Sequence, residues 1–121
     1  MIHNARVFGF IALASTILLT AGAVAVAAGS ATVNVVASNW KFTPSTVEMH
    51  VGQTTTLRLT SSEGVHGIKS EDLGIAQTAI MPGQFATVNV TPKKAGKYVV
   101  HCAIVCGAGH ADMALTVNVL P

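Results

Sequence analysis

Residues 30–121 predict an all-β domain, an antiparallel sandwich or barrel. Three observations carry that prediction. Apolar and polar residues alternate with period two in several short segments, turns bearing glycine or proline separate them, and no helical period persists beyond the N-terminal leader. Because successive Cβ atoms along a strand point to opposite faces, each segment also states which of its side chains turn inward.

In chain order, Thr32–Ala37 is rich in β-branched residues and reads as the first strand. Thr46–Val51 alternates, with Val47, Met49 and Val51 on one face and Thr46, Glu48 and His50 on the other. Thr55–Thr60 and Ala86–Thr91 alternate in the same way. Lys97–Cys102 is again β-branched and aromatic, and Met113–Val119 closes the pattern. Gly52-Gln53, Pro82-Gly83 and the run Pro92–Gly96 supply the turns.

Ahead of this domain, no charged residue occurs between Arg6 and Lys41. Val7–Leu19 is strongly apolar, and small residues at A-x-A spacing follow at Ala25-Val26-Ala27, the pattern of a secretory signal peptide. The 22 uncharged residues from Val7 to Ala28 are also long enough for a single transmembrane helix. Residues 1–29 are therefore a signal peptide or membrane anchor, and both readings stay open. Either one exports residues 30–121, because Arg6 holds the N-terminus inside. The predicted location is the periplasm or the outer face of the cytoplasmic membrane.

Composition excludes several classes of protein. With 50% hydrophobic and 10% charged residues, the 121-residue chain is not a disordered tail. A net charge of +2, with no basic cluster beyond Lys93-Lys94, leaves no footprint for nucleic acid. Two cysteines are too few for a disulfide scaffold.

Those cysteines lie in the segment Cys102-Ala103-Ile104-Val105-Cys106-Gly107-Ala108-Gly109-His110-Ala111-Asp112-Met113. Two thiols, an imidazole and a thioether within one loop are soft donors that suit copper better than any hard cation. Gly107 and Gly109 would let the loop curl its donors around one point. Such a loop needs a remote ligand to close its site. His66, in the apolar stretch Gly64-Val65-His66-Gly67-Ile68, is the best candidate.

Plainer readings compete. Cys102 and Cys106 could form a disulfide. A mononuclear blue-copper site could use His66, one cysteine, His110 and Met113. Zinc would have no need of Met113. Elsewhere, His3 belongs to the leader, His50 lies on a polar strand face, and His101 points away from the ligand side. Met49 reads as core, Met81 as a turn residue packing near the site, and Trp40 as a core aromatic in preference to an electron-entry residue. Glu63, Glu71, Asp72 and Asp112 read as solvated.

The full pattern C-x3-C-G-x-x-H-x-x-M resembles the binuclear copper (CuA) domain of haem-copper oxidase subunit II and of nitrous oxide reductase. The upstream Val65-His66-Gly67, the Met81-Pro82-Gly83 turn and the opening Lys41-Phe42-Thr43-Pro44 share in the likeness, which covers roughly residues 32–120. The resemblance implies a cupredoxin-like Greek-key β-sandwich over residues 30–121, holding two copper ions. Cys102 and Cys106 would be the bridging thiolates, and His66 and His110 the terminal imidazoles. Met113 and the main-chain carbonyl of Ile104 would be the weak ligands.

The implied function is electron transfer, not catalysis. The donor would be a c-type cytochrome, and the acceptor a haem-copper oxidase or another reductase. The chain departs from the family in three places. It has at most one apolar span where subunit II has a hairpin, and Ile104 stands where a metal-binding Glu is common. The aromatic-rich stretch associated with electron entry is reduced to Trp40 and Phe42. A periplasmic copper chaperone or storage protein is the rival function. A thiol-disulfide oxidoreductase is disfavoured, because the C-x-x-C spacing is absent. The surface formed by Gly64, Val65, Ile104, Val105 and Ala108 is predicted to be apolar and shallow.

Overall fold

A computed structural model of the chain describes Gly22 and residues 30–121. The leader lies outside the described residues. Nine strands form, in chain order: β1 Ala31–Ser38, β2 Lys41–Thr43, β3 Thr46–His50, β4 Thr55–Ser61, β5 His66–Ser70, β6 Ile75–Ile80, β7 Ala86–Val90, β8 Gly96–His101 and β9 Ala114–Leu120. A single 3-10 turn, His110–Asp112, interrupts them. Among the described residues no helix is long and apolar enough to cross a membrane.

Alternation sets the inward face of each long strand. Val35 and Ala37 of β1, Val47 and Met49 of β3, Leu57 and Leu59 of β4, and Leu115, Val117 and Val119 of β9 are all buried. Their polar neighbours Glu48 and Arg58 are exposed. Burying one such aliphatic side chain contributes roughly 1.5–3 kcal/mol, which is why register is strongly specified here. One sheet has the order β2-β1-β4-β7 and a second β3-β9-β8, while β5 and β6 form a separate hairpin. Bridges from Ile68 to Cys102 and from Ser61 to Pro82 join that hairpin to its neighbours.

The structure corrects two expectations. The strands are not all antiparallel: β1 runs parallel to β4, pairing Val35 with Leu59, and β3 runs parallel to β9, pairing Val47 with Val117. Local turns report only which segments follow one another. Here the chain turns from β1 into β2 of the same sheet, crosses to the second sheet as β3 and returns as β4, so crossovers bring like-directed strands together. The hairpin β5–β6 was also not expected from the pattern. His66, Gly67 and Ile68 are all buried, and a run buried on both faces carries no alternation.

This topology positions the loops. The chain leaves β1 and β8, and reaches β5, at one pole of the molecule. Trp40, the Ser61–Gly64 turn and the Cys102–Met113 loop are gathered there.

Candidate metal centre

Each donor is aimed by its own element. On β8, Val100 turns inward and His101 outward, so Cys102 turns inward again and is buried, as the alternation predicts. The Cys102 N–H donates to the Met113 carbonyl at 2.9 Å, closing the two ends of the loop. Between them, the N–H groups of His110, Asp112 and Met113 donate to the carbonyls of Gly107, Gly109 and His110 at 3.2, 3.2 and 3.3 Å. This tight turn directs His110 and Met113 toward the cysteines.

The sulfurs and nitrogens converge. Cys102 Sγ lies 3.4 Å from Cys106 Sγ, and the two cysteines are free. Cys106 Sγ lies 3.5 Å from His110 Nδ1 and 3.8 Å from Met113 Sδ. Cys102 Sγ donates to the Ile104 carbonyl at 3.2 Å. His66, Cys102 and Cys106 offer ligand atoms that all fall within 4.8 Å of one another. The loop and β5 thus bring together all six residues singled out from the sequence.

His66 is fully buried, and its orientation is set from outside the site. Ser61 Oγ donates to the Gly64 carbonyl at 2.6 Å and accepts the Glu63 N–H at 3.2 Å, shaping a turn in which Gly64 adopts φ +76°. That turn points the Glu63 carbonyl at His66 Nε2, 2.7 Å away. A carbonyl only accepts, so Nε2 carries the proton and Nδ1 keeps its lone pair. Nδ1 is buried without a hydrogen-bond partner. A buried imidazole nitrogen left bare among thiols fits a metal ligand, with the carbonyl fixing the tautomer from behind.

Burial first, and the neighbouring Cys102 sulfur second, push the Cys106 thiol up from 9.0 to about 11. Without metal, Cys106 is therefore a neutral thiol at ordinary pH, and a metal must displace its proton. Two sulfurs, a thioether and imidazoles are the soft donor set that copper prefers. The site's residues fit that metal.

Trp40 overturns its expected place in the core. It is 41% exposed and lies over the metal loop, where its indole N–H donates to the Cys106 carbonyl at 3.0 Å. A Cβ on Gly109 would meet Trp40 Cγ at 2.5 Å, and one on Gly107 would meet Trp40 Nε1 at 3.1 Å. Gly107 also has φ +120°, whereas Gly109, at φ −92°, is needed only for close approach. Trp40 is 66 residues from Cys106, so no local pattern could have paired them.

Other expectations hold. Met49 is core, His101 is exposed, and Val65 and Val105 are 45% and 83% exposed on an apolar rim. Met81 is 38% exposed, where β6 ends.

A match to the cupredoxin-like domain family spans residues 9–116. The chain belongs to that family. Among known proteins, it is 33% identical over 88 residues to cytochrome c oxidase subunit 2 of Thermus thermophilus, covering 73% of this chain and 64% of that one. A second subunit 2 from the same species matches equally, with 52% of its length covered. The chain thus spans between about half and two thirds of these relatives. Its fold is that of the periplasmic domain of cytochrome oxidase subunit II from Bradyrhizobium japonicum, with TM-score 0.67 at 15% identity, covering 74% of this chain and 83% of that one. It also matches auracyanin from Roseiflexus castenholzii, with TM-score 0.59 at 22% identity, covering 77% of this chain and all of the other. The cupredoxin fold and the His/Cys cluster together support copper as the metal.

Proposed function

We propose that this cupredoxin is an exported electron carrier with a binuclear copper centre of the CuA kind. It would pass single electrons from a cytochrome-type donor to a haem-copper oxidase or another reductase, and would perform no catalysis of its own. The observation that carries the reading is the pair of free thiols 3.4 Å apart, with His110 Nδ1 and Met113 Sδ both within 3.8 Å of Cys106. A centre that uses both thiols as ligands gives each of them a role, whereas a single blue copper leaves one without any.

In this reading Cys102, Cys106, His66 and His110 would hold the copper as its main ligands, with Met113 and the Ile104 carbonyl as weak ones. Bound there, copper would supply a one-electron couple. The protein's part is to hold the donors still. Both ends of the loop are hydrogen-bonded, Trp40 covers it, and the Glu63 carbonyl orients His66. The set leaves no donor position for a substrate, and the exposed Val65 and Val105 suit brief contact with partner proteins.

The similarity to subunit II of cytochrome oxidases supports a periplasmic location and an oxidase-linked partner. The apolar leader supports export or attachment to the outer face of the membrane. The likeness to auracyanin, a blue-copper protein by its relatives, favours a second reading with one copper on His66, one cysteine, His110 and Met113. A third reading is copper delivery. Loading with copper, followed by stepwise reduction and a challenge with a copper-free acceptor protein, separates carrier from chaperone. The carrier keeps its copper through reversible one-electron cycles. Rapid loss of Cu(I) to the acceptor would contradict it.

A further inference from the structure

We infer that Ile104 and Gly67 form a lock that positions the main-chain carbonyl at the centre of the cysteine loop. It rests on the reading above, in which that carbonyl faces the metal. Gly67 is buried on β5, beside His66. A Cβ placed there would lie 2.9 Å from Ile104 Cγ1, 3.0 Å from Ile104 Cδ1 and 3.0 Å from the Thr78 carbonyl. The Ile104 side chain therefore fills the space that the missing side chain of Gly67 leaves open. Here glycine serves close approach.

Gly67 grips the loop a second time. Its carbonyl accepts the Ala103 N–H at 2.9 Å. The backbone from Ala103 N to Ile104 Cβ is thus held at both ends by one residue of β5. The carbonyl that follows is left aimed at Cys102 Sγ, 3.2 Å away. A β-branched residue suits the seat, because its restricted χ1 fixes the direction in which Cγ1, and Cδ1 beyond it, leave the backbone. Since β5 also carries His66, the lock sets the imidazole and the carbonyl in one register. Ile104 and Gly67 are positioning residues: the side chain of Ile104 acts on the metal only through its own backbone.

The test uses two readouts on the full chain. In the copper-free protein, Ile104→Ala should speed exchange of the Ala103 amide about tenfold, as expected when one interior hydrogen bond is loosened. In the copper-loaded protein, the same substitution should shift the visible absorption bands. Ile104→Val keeps Cγ1 over Gly67 and loses only Cδ1, so it should bring both properties most of the way back to those of the unsubstituted protein. Gly67→Ala should disturb both, and combining it with Ile104→Ala should give less than the sum, because the new methyl occupies the emptied seat.

Unchanged Ala103 exchange in Ile104→Ala would overturn the lock, and so would strictly additive effects in the double variant. Faster exchange with an unchanged copper spectrum would overturn its role toward the metal. Failure of the underlying reading is distinguishable, because the unsubstituted protein itself would then show the blue spectrum of a single copper, or no visible copper band, in place of the purple one.

Discussion

At the scale of single residues, the account depends on sulfur chemistry that neighbours tune. Replacing Cys102 or Cys106 by Ser should abolish the purple mixed-valence absorption of the copper-loaded protein, whereas Met113→Leu should keep two coppers bound and shift the reduction potential. Survival of the purple species in either serine variant would count against bridging thiolates. The metal-free protein makes a separate prediction. Cys106 is raised from 9.0 to about 11 by burial and by the Cys102 sulfur. Above pH 9 the unfolded chain gives up a proton that the folded chain retains. The Cys106 contribution to copper-free stability should therefore be fully present below about pH 9 and be lost as pH rises toward about 11. Denaturant titrations across that range, with thiolate absorbance followed in parallel, check both the sign and the window.

At the scale of elements, the site is a loop held between strands, and its glycines have different duties. Gly107 needs its positive φ, while Gly109 needs room beneath Trp40. Gly109→Ala would place a methyl 2.5 Å from Trp40 Cγ, so the indole must move and its bond to the Cys106 carbonyl must break. Overpacking of this kind costs about 1–3 kcal/mol. The chain has one tryptophan, so its emission should shift to longer wavelength and the midpoint of thermal unfolding should fall. Unaltered emission would show that Trp40 does not cover the loop.

Much of this was legible beforehand, for physical reasons that also explain the gaps. Val47, Met49, Leu57 and Leu59 alternate because each faces a core on one side only. Cys102 follows inward-facing Val100 by the same rule. His66–Ile68 lacks that signal because it is buried on both faces. The parallel pairing of β1 with β4 depends on a crossover that no turn residue encodes. Trp40 meets Cys106 across 66 residues, and a Trp next to an apolar pattern is read as core unless its partner is known. For Ile104 the sequence points only to the main-chain carbonyl, because the seat of its side chain over Gly67 depends on a contact between the loop and β5 that no local pattern encodes.

At the scale of the whole molecule, two sheets fix one pole and a hairpin closes it. Strand ends deliver Trp40, His66 and Cys102 to that pole, and the return through Met113 into β9 completes it. In the proposed function the buried core would serve to keep the donors from relaxing when charge changes, which is what a one-electron carrier requires of its scaffold. Val65 and Val105 are exposed at this pole, which in the proposed function would be the face for partners. The central claim is that two coppers share two thiolates here. Electron paramagnetic resonance of the full chain, loaded with excess copper and partly reduced, tests it most directly. The account predicts a purple protein whose hyperfine pattern comes from one electron spread over two equivalent coppers. A blue protein with the hyperfine pattern of a single copper would contradict it.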